Sequence, residues 1–207
     1  KLNNGLFFSS FLCKIGSSHR SDPKYDHVEE RIKNGVLDAF LESRKKGKIR
    51  HIGFTGHSSY KAHLKMLELV KKLGVKITAS QMPINPADLH YKSFVTNVVP
   101  ECVEAGIGVL AMKTLAYGRF LGGNKGWLRT NVSIKPVIPA VLSMEEVFGF
   151  VWSLPVTTLI SGMENIQQVS QNAAIARKTR NWNNADRQKY IDAVKPFAGP
   201  DLEFYKS

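Results

Sequence analysis

Short apolar segments alternate with amphipathic stretches along most of this chain, and that alternation constrains the fold more than any other feature. The apolar segments are Ile49 to Phe54, Val75 to Ser80, Ile107 to Met112 and Val156 to Ile160. Strict alternation of strands with helices implies parallel strands joined by right-handed crossovers, because parallel neighbours need a connection long enough for a helix. A doubly wound sheet and a (β/α)8 barrel, or a piece of one, both satisfy it. No Gly-x-Gly-x-x-Gly follows the first strand, which counts against a dinucleotide-binding Rossmann unit.

The stretches between strands carry helix signals. From Lys24, Val28, Ile32, Val36, Leu37, Phe40 and Leu41 recur at helical spacing. Asn34-Gly35 interrupts them at a cost of about 1 kcal/mol relative to alanine, and a basic last turn ends the helix near Gly47. Tyr60 to Leu73 predicts a second helix with Leu64, Leu67, Leu69, Val70 and Leu73 facing inward and Gly74 as its stop. The prolines of Gln81-Met82-Pro83-Ile84-Asn85-Pro86 close the second strand. A third helix is expected over about Ser93 to Ala105, with Pro100 either kinking it or starting a better one. The continuously apolar IGVLAM of residues 107–112 fits a strand buried on both faces. A glycine-bearing loop then runs to about Leu142. Ser143-Met144-Glu145-Glu146 has capping-box spacing for a helix to about Ser153, and Asn165 with Gln168 repeats that spacing before a helix from Ile166 to about Lys178. A polar helix from Asn184 to Val194 precedes a tail.

Charge and cysteine content exclude several functions. The net charge is +12, which would suit nucleic acid, an anionic membrane or a phosphate-bearing ligand. The basic clusters Arg44 to Arg50, Lys71-Lys72 and Arg177 to Arg180 sit where helices end, a favourable place for cations. None alternates with stacking aromatics, so no nucleic-acid partner is expected. Cys13 and Cys102 lie far apart without metal-ligand spacing, which points to a reducing, cytoplasmic setting with no disulfide framework and no metal. No apolar run reaches the roughly 18–20 residues a membrane span requires. Residues 1–18 have a basic start and an apolar patch, as a signal peptide would, but Ser9-Ser10 interrupt the patch and a strand or irregular segment is the better reading.

In either architecture the carboxyl ends of the strands form the site face. Those ends read Thr55-Gly56-His57-Ser58, Gln81 to Asn85, Lys113 to Gly118, and Ser161-Gly162-Met163-Glu164-Asn165. They are rich in amides, hydroxyls and backbone donors, with glycines that let a ligand approach the backbone. The last turn opens a helix N-terminus, a setting that favours phosphate. Gln168 and Asn172 share one face of that helix, and their amides can match a purine edge as well as line a solvated surface.

GKIRHIGFTGHS, SQMPINP, GVLAMKTLAYG and LPVTTLISGMENIQQVSQN, in that order, resemble the C-terminal half of an aldo-keto reductase. The likeness runs from about Asp22 to Ala176 and is greatest to the bacterial branch with a Gly-His turn after the fifth strand. It implies a (β/α)8 barrel that binds a nicotinamide dinucleotide, NADP(H) ahead of NAD(H), and reduces a small carbonyl substrate to an alcohol. The four strands here would be its fifth to eighth. On this resemblance Thr55, Gly56 and His57 hold the nicotinamide carboxamide, with His57 standing where asparagine is commoner, and Gln81 binds the same group. Met112, Lys113, Leu115 and Gly118 lie against the nicotinamide and pyrophosphate. Gly162, Met163 and Glu164 form the turn over the adenosine phosphate, with Gln168, Gln171 and Asn172 around the ribose and adenine.

The family's catalytic Asp, Tyr, Lys and His come from its first four strands, and His19 is the one candidate here, near the place of that histidine. The expected organisation is an N-terminal remnant over 1–23, a barrel half over 24–183, and a C-terminal helix and tail over 184–207. Four parallel strands leave two open edges. LFFSSFLCKI, residues 6–15, can cover one as an added strand; otherwise the edges pair with further barrel strands or a second copy. The functional expectation is the cofactor-binding half of an NAD(P)H-dependent oxidoreductase, inactive alone, with a non-catalytic NADP(H)-binding module or a truncated gene product as alternatives.

Overall fold

The computed structural model describes residues 10–14, 26–121, 141–178 and 184–206. Five parallel strands form one sheet: β1 Ser10–Lys14, β2 His51–Thr55, β3 Ala79–Pro83, β4 Gly108–Met112 and β5 Thr158–Leu159. Their spatial order is their chain order. Every crossover therefore steps to the next neighbour in one direction. A doubly wound sheet reverses at a switch point, so the winding is that of a barrel. Four strands were expected; the fifth is β1, inside the segment proposed to cover an edge, and it pairs with β2 from Ser10↔His51 to Lys14↔Thr55.

The first helical stretch is two helices, α1 Asp26–Lys33 and α2 Val36–Lys45, broken at Gly35 with φ 79°. Only glycine takes that left-handed conformation without cost. α3 Tyr60–Lys72 buries His63, Met66 and Val70. Leu64, Leu67 and Leu69 pack on the core edge, whereas Leu73 is 52% exposed. Its place at the C-cap, past the last full turn, takes it off the inward stripe.

β3 begins four residues later than its hydrophobicity suggests and runs through Gln81 to Pro83. The reason is the direction of the missing proline N–H. The Gln81 carbonyl points to β2, accepting from Gly56 N, and Ile84 N points to β4, donating to the Met112 carbonyl. Alternation turns Pro83 to the β2 side, one step past the last paired residue, Gln81↔Thr55. The ladder loses nothing.

α4 Phe94–Asn97 and α5 Val99–Glu104 divide the third helical stretch at Val98, with Pro100 in the first turn of α5, where its lack of an N–H costs nothing. α6 Met144–Trp152 has the expected capping box: Glu146 N donates to Ser143 Oγ at 3.2 Å and Ser143 N to the Glu146 carboxylate at 2.7 Å. α7 Ile166–Lys178 and α8 Asn184–Val194 span the expected residues.

The main core packs Ile52, Phe54, Met82, Val109 and Ala111 of the sheet against α3, α5 and α6. Cys102 lies in it, and burial pushes its thiol pKa up to about 11, which removes its nucleophilicity. A second cluster forms beyond the strand ends, where Ala87, Ala116 and Phe120 meet Leu142, Val147, Tyr190, Val194 and Leu202. The C-terminal tail is thus a packed element of the site face.

Candidate functional site

Parallel registry brings the predicted residues of β2, β3 and β4 side by side. Thr55 ends β2 opposite Gln81, and Gln81 lies opposite Leu110. The half-buried Gln81 amide points its Nε2 at Met112 Sδ, 3.4 Å away. A thioether is a weak acceptor, so a stronger one can take that N–H at little loss.

The Thr55-Gly56-His57 turn is held from below by His63, which sequence reading left unassigned. Its Nε2 is 3.2 Å from the Gly56 carbonyl and its Nδ1 3.1 Å from Ser80 Oγ. A carbonyl only accepts, so Nε2 carries the proton and the Ser80 hydroxyl donates to Nδ1. Phe54 and Phe94 pack around the ring at 5.1 Å each. Burial pushes its pKa down to about 3, opposed by the Gly56 bond, so the imidazole is neutral. The signal for it was helical spacing, since His63, Met66 and Val70 fall at i, i+3 and i+7 on the buried face of α3.

His57 is half-buried, with Nδ1 2.9 Å from the Tyr205 carbonyl. Tyr205 belongs to the tail, and its ring stands edge-on to His57 at 6.4 Å between centroids. Its hydroxyl donates to Glu203 and accepts from Asn85, which follows β3. Burial, then the Glu203 charge, hold the phenol pKa well above its usual value. The Glu203 carboxyl is raised by burial and by Asp88, against the pull of Lys206 and Asn85.

After β4 the chain takes a tight left-handed course. Lys113, Ala116 and Tyr117 have φ of 56°, 45° and 65°, followed by Gly118 at 85°. Positive φ in three non-glycine residues of one short loop is costly and clusters at functional sites. The turn is closed by Ala116 N to the Lys113 carbonyl and Gly118 N to the Leu115 carbonyl, both at 2.8 Å. It places the Lys113 ammonium 3.8 Å from the Tyr117 ring centroid and 6.0 Å from that of Tyr205. Burial lowers the Lys113 pKa to about 8.

The fourth turn is exposed. A Cβ at Gly162 would meet nothing within 4 Å, so the space over the turn is open to a ligand. Asn165 Oδ1 accepts from Gln168 N, and Gln168 Oε1 reaches back to Glu164 N at 2.6 Å. Asn172 Nδ2 donates to Ser161 Oγ at 3.0 Å. Gln168 and Asn172 therefore brace the turn, while Gln171 and Met163 project to solvent. His19 lies outside the described residues. Among the described residues no cluster of His, Cys, Asp or Glu could hold a metal, and no helix is long and apolar enough to cross a membrane.

Residues 14–132 match the model of a family described as the aldo/keto reductase family. No curated protein matches the sequence. Among solved structures, the fold is similar to the apo form of the aldo-keto reductase AKR11C1 from Bacillus halodurans, with TM-score 0.58 and 16% identity, covering 94% of this chain and 64% of that one. It is similar also to the holo form, with TM-score 0.55 and 16% identity, covering 88% and 72%. The chain thus spans less than two thirds of the length of the apo-form reductase it matches.

Proposed function

Because this chain belongs to the aldo/keto reductase family, we propose that it is the cofactor-binding half of an NAD(P)H-dependent carbonyl reductase, with NADP(H) preferred. The observation that carries this reading is the junction of Gln81 with Met112, beside the Thr55 turn and ahead of the left-handed Lys113–Gly118 turn. An amide donor aimed at a thioether, next to backbone held in a costly conformation, is arranged for a ligand rather than for stability.

When bound, the nicotinamide supplies a hydride to a carbonyl carbon. Gln81 would hold its carboxamide, with Thr55 and Gly56 as neighbours, and Met112 would support the ring. Lys113, Leu115 and Gly118 would face the pyrophosphate, where the Lys113 ammonium offsets phosphate charge. Gly162, Met163 and Glu164 would take the adenosine phosphate at the α7 N-terminus. Gln168, Gln171 and Asn172 would bound the ribose and adenine. In this reading carbonyl reduction belongs to a full barrel carrying the Asp, Tyr and Lys, and its setting is the cytoplasm.

The test is titration of the chain with NADPH and with NADH, followed by nucleotide fluorescence. Binding of NADPH at micromolar concentration, weaker binding of NADH, and no aldehyde reduction by the chain alone are expected. No binding of either at millimolar concentration would overturn the proposal, and turnover by the chain alone would overturn its catalytic part.

A further inference from the structure

We infer that the C-terminal segment Asp201–Lys206 is a fixed wall of the nucleotide site, and that His57 is the positioning residue that latches it. The inference rests on the nucleotide-binding reading above. The Tyr205 carbonyl can only accept, so His57 Nδ1, at 2.9 Å, carries a hydrogen and donates it. The Nδ1 hydrogen of His57 is thus committed to the tail.

The segment crosses the ends of three strands in turn. His57 follows β2, Asn85 follows β3, and Lys113, Tyr117 and Arg119 follow β4. Each of these ends grips it: His57 at the Tyr205 carbonyl, Asn85 at Glu203 and the Tyr205 hydroxyl, and the Arg119 guanidinium at the Asp201 carbonyl. Lys206 then anchors its end, with Nζ 2.5 Å from Asp88, 2.8 Å from Glu203 and 2.9 Å from the Tyr91 carbonyl. Lys92 closes over the Lys206 carbonyl at 2.9 Å.

Leu202, Glu203, Tyr205 and Lys206 are all buried. Lifting the segment would expose two large side chains and leave Asp88 without its cation, so it behaves as part of the core and not as a lid. Asp201 is exposed and Phe204 half-exposed, the Phe204 ring 5.7 Å from that of Tyr117 and 4.6 Å from the Arg119 guanidinium. This ring forms the surface facing the left-handed turn that the family resemblance assigns to the nicotinamide and pyrophosphate.

The experiment pairs hydrogen exchange of the tail with NADPH titration on the full chain. His57→Ala should speed exchange over 201–206 and raise the NADPH Kd about tenfold, the equivalent of one lost hydrogen bond. Lys206→Ala should do both as well, although no nucleotide contact is assigned to it. His57→Asn, whose amide can donate from the place of Nδ1, should restore both. The inference fails if His57→Ala weakens NADPH while tail exchange is unchanged, because His57 is then a direct ligand. It fails also if Lys206→Ala frees the tail while affinity is unchanged or tighter, because the tail is then a bystander or a competitor. A wild-type chain that binds no NADPH removes the nucleotide reading and the wall together; the exchange of His57→Ala against wild type then still decides the latch.

Discussion

The Lys206 ammonium lies 2.5 Å from the Asp88 carboxylate, and both side chains are wholly buried. Asp88 is the hub of this contact. Its Oδ1 also accepts from Phe94 N, and its Oδ2 accepts from Ser93 Oγ and Val95 N. One carboxylate thus caps the start of α4 and fastens the tail at Lys206. Breaking a buried pair from one side costs about 3–5 kcal/mol, since the other charge stays behind. Asp88→Asn places an N–H against donors and should lower stability by that amount in urea unfolding. A loss under about 1 kcal/mol would mean that the pair is solvated and of surface strength.

His63 makes stability depend on pH with a sign opposite to that of an ion-paired histidine. Its folded pKa, about 3, lies below the 6.5 of the free side chain. The unfolded chain therefore takes up a proton first as pH falls. The contribution is whole above about pH 6.5 and is lost progressively down to about pH 3, at roughly 1.4 kcal/mol per pH unit. His63→Gln can still donate to the Gly56 carbonyl and accept from Ser80 but does not titrate. It should flatten the acid limb of a pH series of urea midpoints; an unchanged slope would place the acid sensitivity in the carboxylates.

Much of the fold was legible because its cause is local. The bounds of α7 and α8 and the Ser143 capping box follow from spacing and caps; Asn34-Gly35 and Pro100 marked points of interruption, although the first stretch was expected as one helix and Pro100 as either a kink or a restart. The start of β3 was not legible, because proline reads as a strand breaker unless the neighbouring strand has already ended. The tail was still less so. Its burial depends on Lys206 meeting Asp88 and Glu203 meeting Asn85, each across 118 residues. Hydropathy alone reads Asp201 to Lys206 as solvated. The predicted turn residues were found together at the strand ends, but His63 and the tail, which hold them, lie in no motif.

Gln81 should separate binding from stability. Its amide spends its hydrogen bond on Met112 Sδ, so Gln81→Met removes little from the fold. The expected change in unfolding free energy is below about 1 kcal/mol. If Gln81 holds a carboxamide, the same change should raise the NADPH Kd about tenfold, the loss of one hydrogen bond that the thioether of methionine cannot replace. Equal affinity for wild type and Gln81→Met would remove Gln81 from the site.

Lys113 should set the pH range over which the proposed nucleotide site attracts an anion. Its pKa is lowered from 10.5 to about 8 because burial disfavours the ammonium. Below that value it is charged, within the turn that the proposed function gives to the pyrophosphate; above it the free protein would have to take up a proton to bind. NADPH affinity should therefore be flat below about pH 8 and fall as pH rises beyond it, by up to tenfold per unit until the pKa of the complex is reached. Lys113→Arg keeps the charge through this range and should abolish the break. Lys113→Met should abolish it at the weaker, high-pH affinity. A break that persists in both variants would assign the titration to another group and leave Lys113 a cation packed on Tyr117.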